Sequence, residues 1–187
     1  MTAKQAQITS ATIRLFSTEG LAVPTAKIAK EAGVSNDTMF NYFSTKQALY
    51  NDLYLSIKED MAEHILCLLS PDLTVQETLW EAWRGYATWS KENPLRQQAY
   101  MLLKTSRVLS EDTIEKTDEL FQYFYDKMEE GVVNKDLKNI PTHYLCELTV
   151  AHLNTCLRYS EAQEMNEVNF HHQIKMGFDI FWDGIRA

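Results

Sequence analysis

The chain has 187 residues, 45% hydrophobic and 24% charged, so one domain or one plus a small appendage is expected, with enough apolar material for a core. Six glycines and four prolines are too few for a loop-rich all-β sandwich, and no apolar run approaches the roughly 18 residues of a membrane helix. The formal charge of −8 argues against a nucleic-acid partner only if it is evenly spread, and it is not: the first 50 residues carry +2 and the remainder −10.

The opening residues carry no apolar stretch of a secretory signal, and Cys67, Cys146 and Cys156 have neither the even count of a disulfide framework nor the spacing of a thiolate zinc site. A cytoplasmic protein is expected. In chain order, Ile8, Ala11, Thr12, Leu15 and Phe16 share one face of an amphipathic helix that stops at Gly20. Thr25 is the expected N-cap of a short helix through Ile28, Ala29 and Ala32, ended by Gly33. Ser35 caps the next, with Asp37 in its first turn, and that helix gives out near Phe43. Leu49, Leu53, Ile57, Met61 and Ile65 recur every four residues in a longer helix over 45–69, closed by Ser70-Pro71. Further helices are predicted over 75–91, 95–109, 111–130, 142–160 and 168–184, with Pro94, Gly131 and Pro141 between them. Nine helices and no strand make an all-α chain.

The stretch Thr25 to Lys46 carries the function. Two helices too short to be stable alone flank Gly33-Val34-Ser35. Ala29 is small where the helices must approach, Gly33 can turn left-handed, and Val34 plugs the gap; that order describes a helix-turn-helix. The second helix presents Ser35, Asn36, Asp37, Thr38 and Asn41, with Met39 and Phe43 turned inward. Asn can pair with adenine, Asp can accept from cytosine, and Thr can touch a thymine methyl. Tyr42 and Lys46 follow at a spacing suited to the duplex backbone, and Thr25 can offer a hydroxyl to a phosphate.

From Ile8 to Leu49 the chain resembles the DNA-binding half of the TetR family of bacterial regulators, through Ala11, Leu15-Phe16, Gly20, Thr25, Ile28-Ala29, Ala32-Gly33-Val34-Ser35, Tyr42-Phe43, Lys46 and Leu49. The resemblance implies a three-helix DNA-binding head over residues 1–46 and a larger helical ligand-binding and dimerisation bundle over 47–187. It also implies repression released by a small effector. It places Thr25, Tyr42 and Lys46 at phosphates, and Asn36, Asp37, Thr38 and Asn41 at base edges or nearby backbone. Phe40 stands where the family often has Tyr, which favours a thymine-methyl or packing role, and Ala26 stands where some members carry a basic reader.

All four tryptophans lie beyond Ser70, with many other aromatic and Met side chains, as either the core of a bundle or the wall of an apolar pocket. Trp83, Tyr86 and Met101 are the expected wall residues. Arg84 and Arg107 are candidates to pair an acidic effector group, although a solvated surface cation is the simpler reading of each. Leu145, Leu148, His152 and Thr155, with Phe170, Ile174, Phe178 and Phe181, form stripes suited to a homodimer contact or to burial within one subunit. The i, i+4 pairs His152/Cys156 and His143/Glu147 do not close a metal site, so no metal or cofactor is expected. The reading is a DNA-binding, homodimeric repressor with double-stranded DNA, a second copy and a small apolar or aromatic effector as partners, and no membrane. The alternatives are a regulator answering to a protein partner or to no effector, and a helical interaction module without DNA function. A small all-α enzyme would need a nucleophile, base or metal constellation that the sequence does not display.

Overall fold

The computed structural model describes residues 2–187. The described residues form ten α-helices and one short 3-10 segment, with no named strand. In order these are α1 (Ala3–Glu19), the 3-10 turn Gly20–Ala22, α2 (Thr25–Glu31), α3 (Asn36–Tyr42), α4 (Lys46–Leu66) and α5 (Val75–Glu92). They continue as α6 (Pro94–Ser106), α7 (Glu111–Glu119), α8 (Gln122–Val133), α9 (Thr142–Ala162) and α10 (Glu167–Ile185). The all-α expectation holds.

The chain divides into two compact units. The first comprises Met1–Asp60 and Glu92–Glu119; the second comprises Met61–Lys91 and Leu120–Ala187. In the first, Ile8, Ala11, Phe16, Ile28, Met39, Leu49 and Leu53 are buried, the positions where the helical period of α1 to α4 converges on one core. Tyr54 of α4 stacks on Tyr100 of α6, and Arg96 of α6 lies 3.7 Å from Asp60. In the second, Trp83 and Trp89 of α5 are buried, with Trp83 stacked on Phe181 and edge-on to Phe178 of α10, and Trp89 stacked on Tyr86.

Three local expectations are corrected. The single helix predicted over 111–130 is two, broken at Leu120-Phe121, where Phe121 takes φ −111° and ψ 16°. No Pro or Gly marks that break; α7 buries Thr113 and Thr117 in the first unit while α8 buries Met128 and Gly131 in the second. Gly131 does not end a helix but lies inside α8, where a Cβ would stand 2.9 Å from Val75 and 3.0 Å from Leu137. Finally, Pro24, not Thr25, caps α2: its carbonyl takes the N–H groups of Lys27 and Ile28 at 3.0 and 3.2 Å, and Thr25 is the first helical residue.

Candidate nucleic-acid interface

The turn between α2 and α3 is a Schellman closure. The Val34 N–H donates to the Ala29 carbonyl at 3.0 Å and the Gly33 N–H to that of Lys30 at 3.1 Å, with Gly33 at φ +70°. Nothing lies within 4 Å of a Cβ built at Gly33, so its requirement is conformational rather than steric. Ala29 is buried and Val34 half-buried, which fits the small residue and the plug read from the sequence. Ser35 caps α3 as expected: its Oγ accepts the Thr38 N–H at 3.1 Å and stands 2.8 Å from the Thr38 hydroxyl.

Met39 and Phe43 anchor α3 in the core. The opposite face presents Asn36, Asp37, Phe40, Asn41 and Tyr42, all exposed, while Thr38 is half-buried against its cap. Phe40 leaves 39% of its surface in water, on the same outward face as these polar groups. Thr25 is half-buried at the start of α2.

Lys46 opens α4 but is not a freely extended cation. Its Nζ donates to the Leu21 carbonyl at 3.0 Å, and the Tyr50 hydroxyl donates to the same oxygen at 2.7 Å. Burial holds the Lys46 ammonium below the usual lysine range and pushes the Tyr50 phenol up to about 12. The pair pins the start of α4 to the 3-10 turn after α1, and two of the three Lys46 N–H donors remain for another acceptor. Sequence reading missed Tyr50, although its i+4 spacing from Lys46 was visible. Ion pairs of Arg14 with Glu31 and of Lys27 with Glu19 tie α1 and its end to α2.

The expected pocket residues fall on two helices, α5 and α6. Trp83 and Tyr86 belong to the second unit and Met101, half-buried on α6, to the first. Trp83 is 1% exposed and its indole N–H donates to the Ile174 carbonyl at 3.1 Å; the Tyr86 hydroxyl donates to Asn154 Oδ1 at 3.2 Å. The stripe Phe170, Ile174, Phe178 and Phe181 is buried within the chain, as is Leu145. What α10 exposes instead is Val168, His172, Met176 and Ile180 at four-residue spacing, with Val168 77% and Ile180 60% exposed. Alongside, α9 exposes Tyr144, Ala151, Thr155 and Tyr159.

His152 packs edge-on to Trp83 and Phe181, and burial lowers its affinity for a proton; burial likewise raises the Cys156 thiol, which marks it as inert. No group of three His, Cys, Asp or Glu that could hold a metal occurs among the described residues. Among the same residues no helix is long and apolar enough to cross a membrane.

With this geometry in place, comparison with known proteins defines the class. Residues 8–53 match the model of the bacterial regulatory proteins of the TetR family, a span that covers α1 to α3 and the first part of α4. This segment is similar to the DNA-binding domain of the TetR family of transcriptional regulators. The fold agrees over the whole length. A TetR-family regulator from Shewanella sp. PV-4 superposes with a TM-score of 0.90 at 22% identity, covering 100% of both chains. One from Marinobacter aquaeolei VT8 gives 0.86 at 18% identity, over 98% of this chain and 96% of that one. A curated relative, the nucleoid occlusion factor SlmA of Mannheimia succiniciproducens, is 24% identical over 96% of this chain and 83% of its own.

Proposed function

We propose that the protein is a homodimeric repressor that binds a palindromic operator through residues 1–46 and is released by a small apolar or aromatic effector acting on residues 47–187. The observation that carries the DNA reading is the outward face of α3, where polar side chains and an uncovered Phe40 ring surround a helix whose other face is locked by Met39 and Phe43. Asn36, Asp37 and Asn41 read base edges and Phe40 meets a thymine methyl. Ser35 and Thr38 hold the helix start at the backbone, and Thr25, Tyr42 and Lys46 hold phosphates.

One α3 reads too few base pairs for useful specificity, which favours two heads on a two-fold site. The apolar residues that α9 and α10 leave in water, Tyr144, Tyr159, Val168, Met176 and Ile180, support pairing with a second copy there. An effector would act by preferring a conformer in which α4, which continues from the head into the second unit, tilts and mismatches the half-sites. Trp83, Tyr86 and Met101 are the proposed effector contacts. A second reading, a regulator without a small effector or one answering to a protein partner, is favoured by the Trp83 and Tyr86 polar atoms, which already have partners inside the protein.

Selection of bound duplexes from a random pool at two salt concentrations tests the first claim: enrichment of a palindrome with salt-sensitive affinity supports it. No enrichment at low salt in the presence of a cell extract's small molecules would overturn it. With the operator in hand, compounds that lower its affinity separate the effector reading from its rival.

A further inference from the structure

We propose that Arg107 is an additional phosphate-binding cation of the operator-binding surface, reaching the DNA backbone beside the N-terminus of α4; this rests on the operator reading above.

Arg107 lies outside the segment matched by the family model, on the turn between α6 and α7. Within the first compact unit α6 runs antiparallel to α4. Arg96 of α6 donates to the Ser56 carbonyl at 3.4 Å, Tyr100 stacks on Tyr54, and the following turn comes down on the first two turns of α4. There Gln47 Nε2 donates to the Val108 carbonyl at 3.2 Å. Asn51 Nδ2 donates to Ser110 Oγ at 3.1 Å, and the Ser110 N–H donates back to Asn51 Oδ1 at 3.2 Å. Ser110 Oγ also accepts the Thr113 N–H, so the turn is fixed to both α4 and α7. Arg107 precedes the residue that Gln47 holds, so its backbone lies beside the first turn of α4, which Lys46 opens.

Two further features bear on it. Arg14, Lys27, Arg96 and Lys116 of the same unit are held in ion pairs, whereas Arg107, like Lys4 and Lys30, is exposed and in no ion pair among the described residues. The nearby acids Glu111 and Asp112 lie in the first turn of α7, where the helix amides attract them, and Asp112 accepts from Lys116 at 2.9 Å. In addition, Arg107 has φ 57° and ψ 24°, the left-handed conformation usual for glycine after a helix. Glycine would adopt it freely, so Arg107→Gly removes the cation without disturbing the turn.

The experiment uses the full-length protein and the selected operator duplex, with Lys135→Gly as the matched control. Lys135 has φ 65°, carries the same charge and lies in the second unit. Arg107→Gly is expected to weaken operator binding and to make the plot of log affinity against log salt shallower by about 0.9 per protomer, with a melting temperature no lower than wild type. Lys135→Gly should match wild type. An unchanged slope for Arg107→Gly, or an equal change in both variants, overturns the assignment while leaving the operator reading intact. A wild-type protein that binds no duplex at either salt overturns the operator reading and this one with it.

Discussion

Substituting Gly177 by alanine places a methyl group against the Cys156 Sγ and 3.6 Å from Trp83 Cζ2, where α10 closes on α9 and α5. Cys156 and Gly177 are both buried, so neither the thiol nor the new methyl can move into water. Forcing a methylene-sized group into such a contact costs about 1–3 kcal/mol. At roughly 2–4 °C per kcal/mol for a chain of this size, the melting temperature should fall by several degrees. Cys156→Ala alone removes one sulfur and costs on the order of 1 kcal/mol. In the double variant the alanine methyl occupies the space the sulfur vacates, so the two losses should be less than additive by about 1–2 kcal/mol. All four tryptophans belong to this unit, so their fluorescence during urea unfolding reports the relevant transition. Strict additivity of the two substitutions would refute the steric argument.

The remaining predictions concern the first unit. Ser35→Ala removes the cap of α3 and should cost about 1 kcal/mol of stability, together with operator affinity. An unchanged melting temperature would contradict the capping role. Tyr42→Phe should leave the melting temperature unchanged, because the exposed Tyr42 hydroxyl has no hydrogen-bond partner among the described residues, yet weaken operator binding several-fold. Equal affinity would remove Tyr42 from the interface. The Tyr50 phenol, pushed up to about 12 by burial, favours the folded state below pH 10 and loses that contribution as pH rises from 10 to 12. Stability of this unit should therefore fall across that window in wild type, and Tyr50→Phe, weaker at neutral pH for want of the bond to Leu21, should show a flatter profile by circular dichroism.

The helix-turn-helix was legible because its determinants are local. Gly33 must be left-handed, Ser35 must accept an amide from the turn after it, and Met39 and Phe43 fall four apart on one face; each condition holds within a few residues of chain. The all-α class follows for the same reason, from apolar residues at helical period. What a residue does on an α9 or α10 stripe was not legible, since period identifies a face without saying what covers it. Phe170, Ile174, Phe178 and Phe181 look like an interface stripe and are core, while Val168, Met176 and Ile180 are left in water.

The sequence by itself determined the helical class, the turn chemistry between α2 and α3, and the polar surface of α3, because these depend on neighbours in the chain. Only the tertiary structure decided the rest. It breaks 111–130 into two helices because each half buries its side chains in a different unit. It turns Lys46 into an anchor because the Leu21 carbonyl, 25 residues away, stands 3.0 Å from its ammonium. And it brings Arg107 beside α4 because Gln47 and Asn51 hold the turn that carries it, pairings roughly 60 residues apart that no local periodicity encodes.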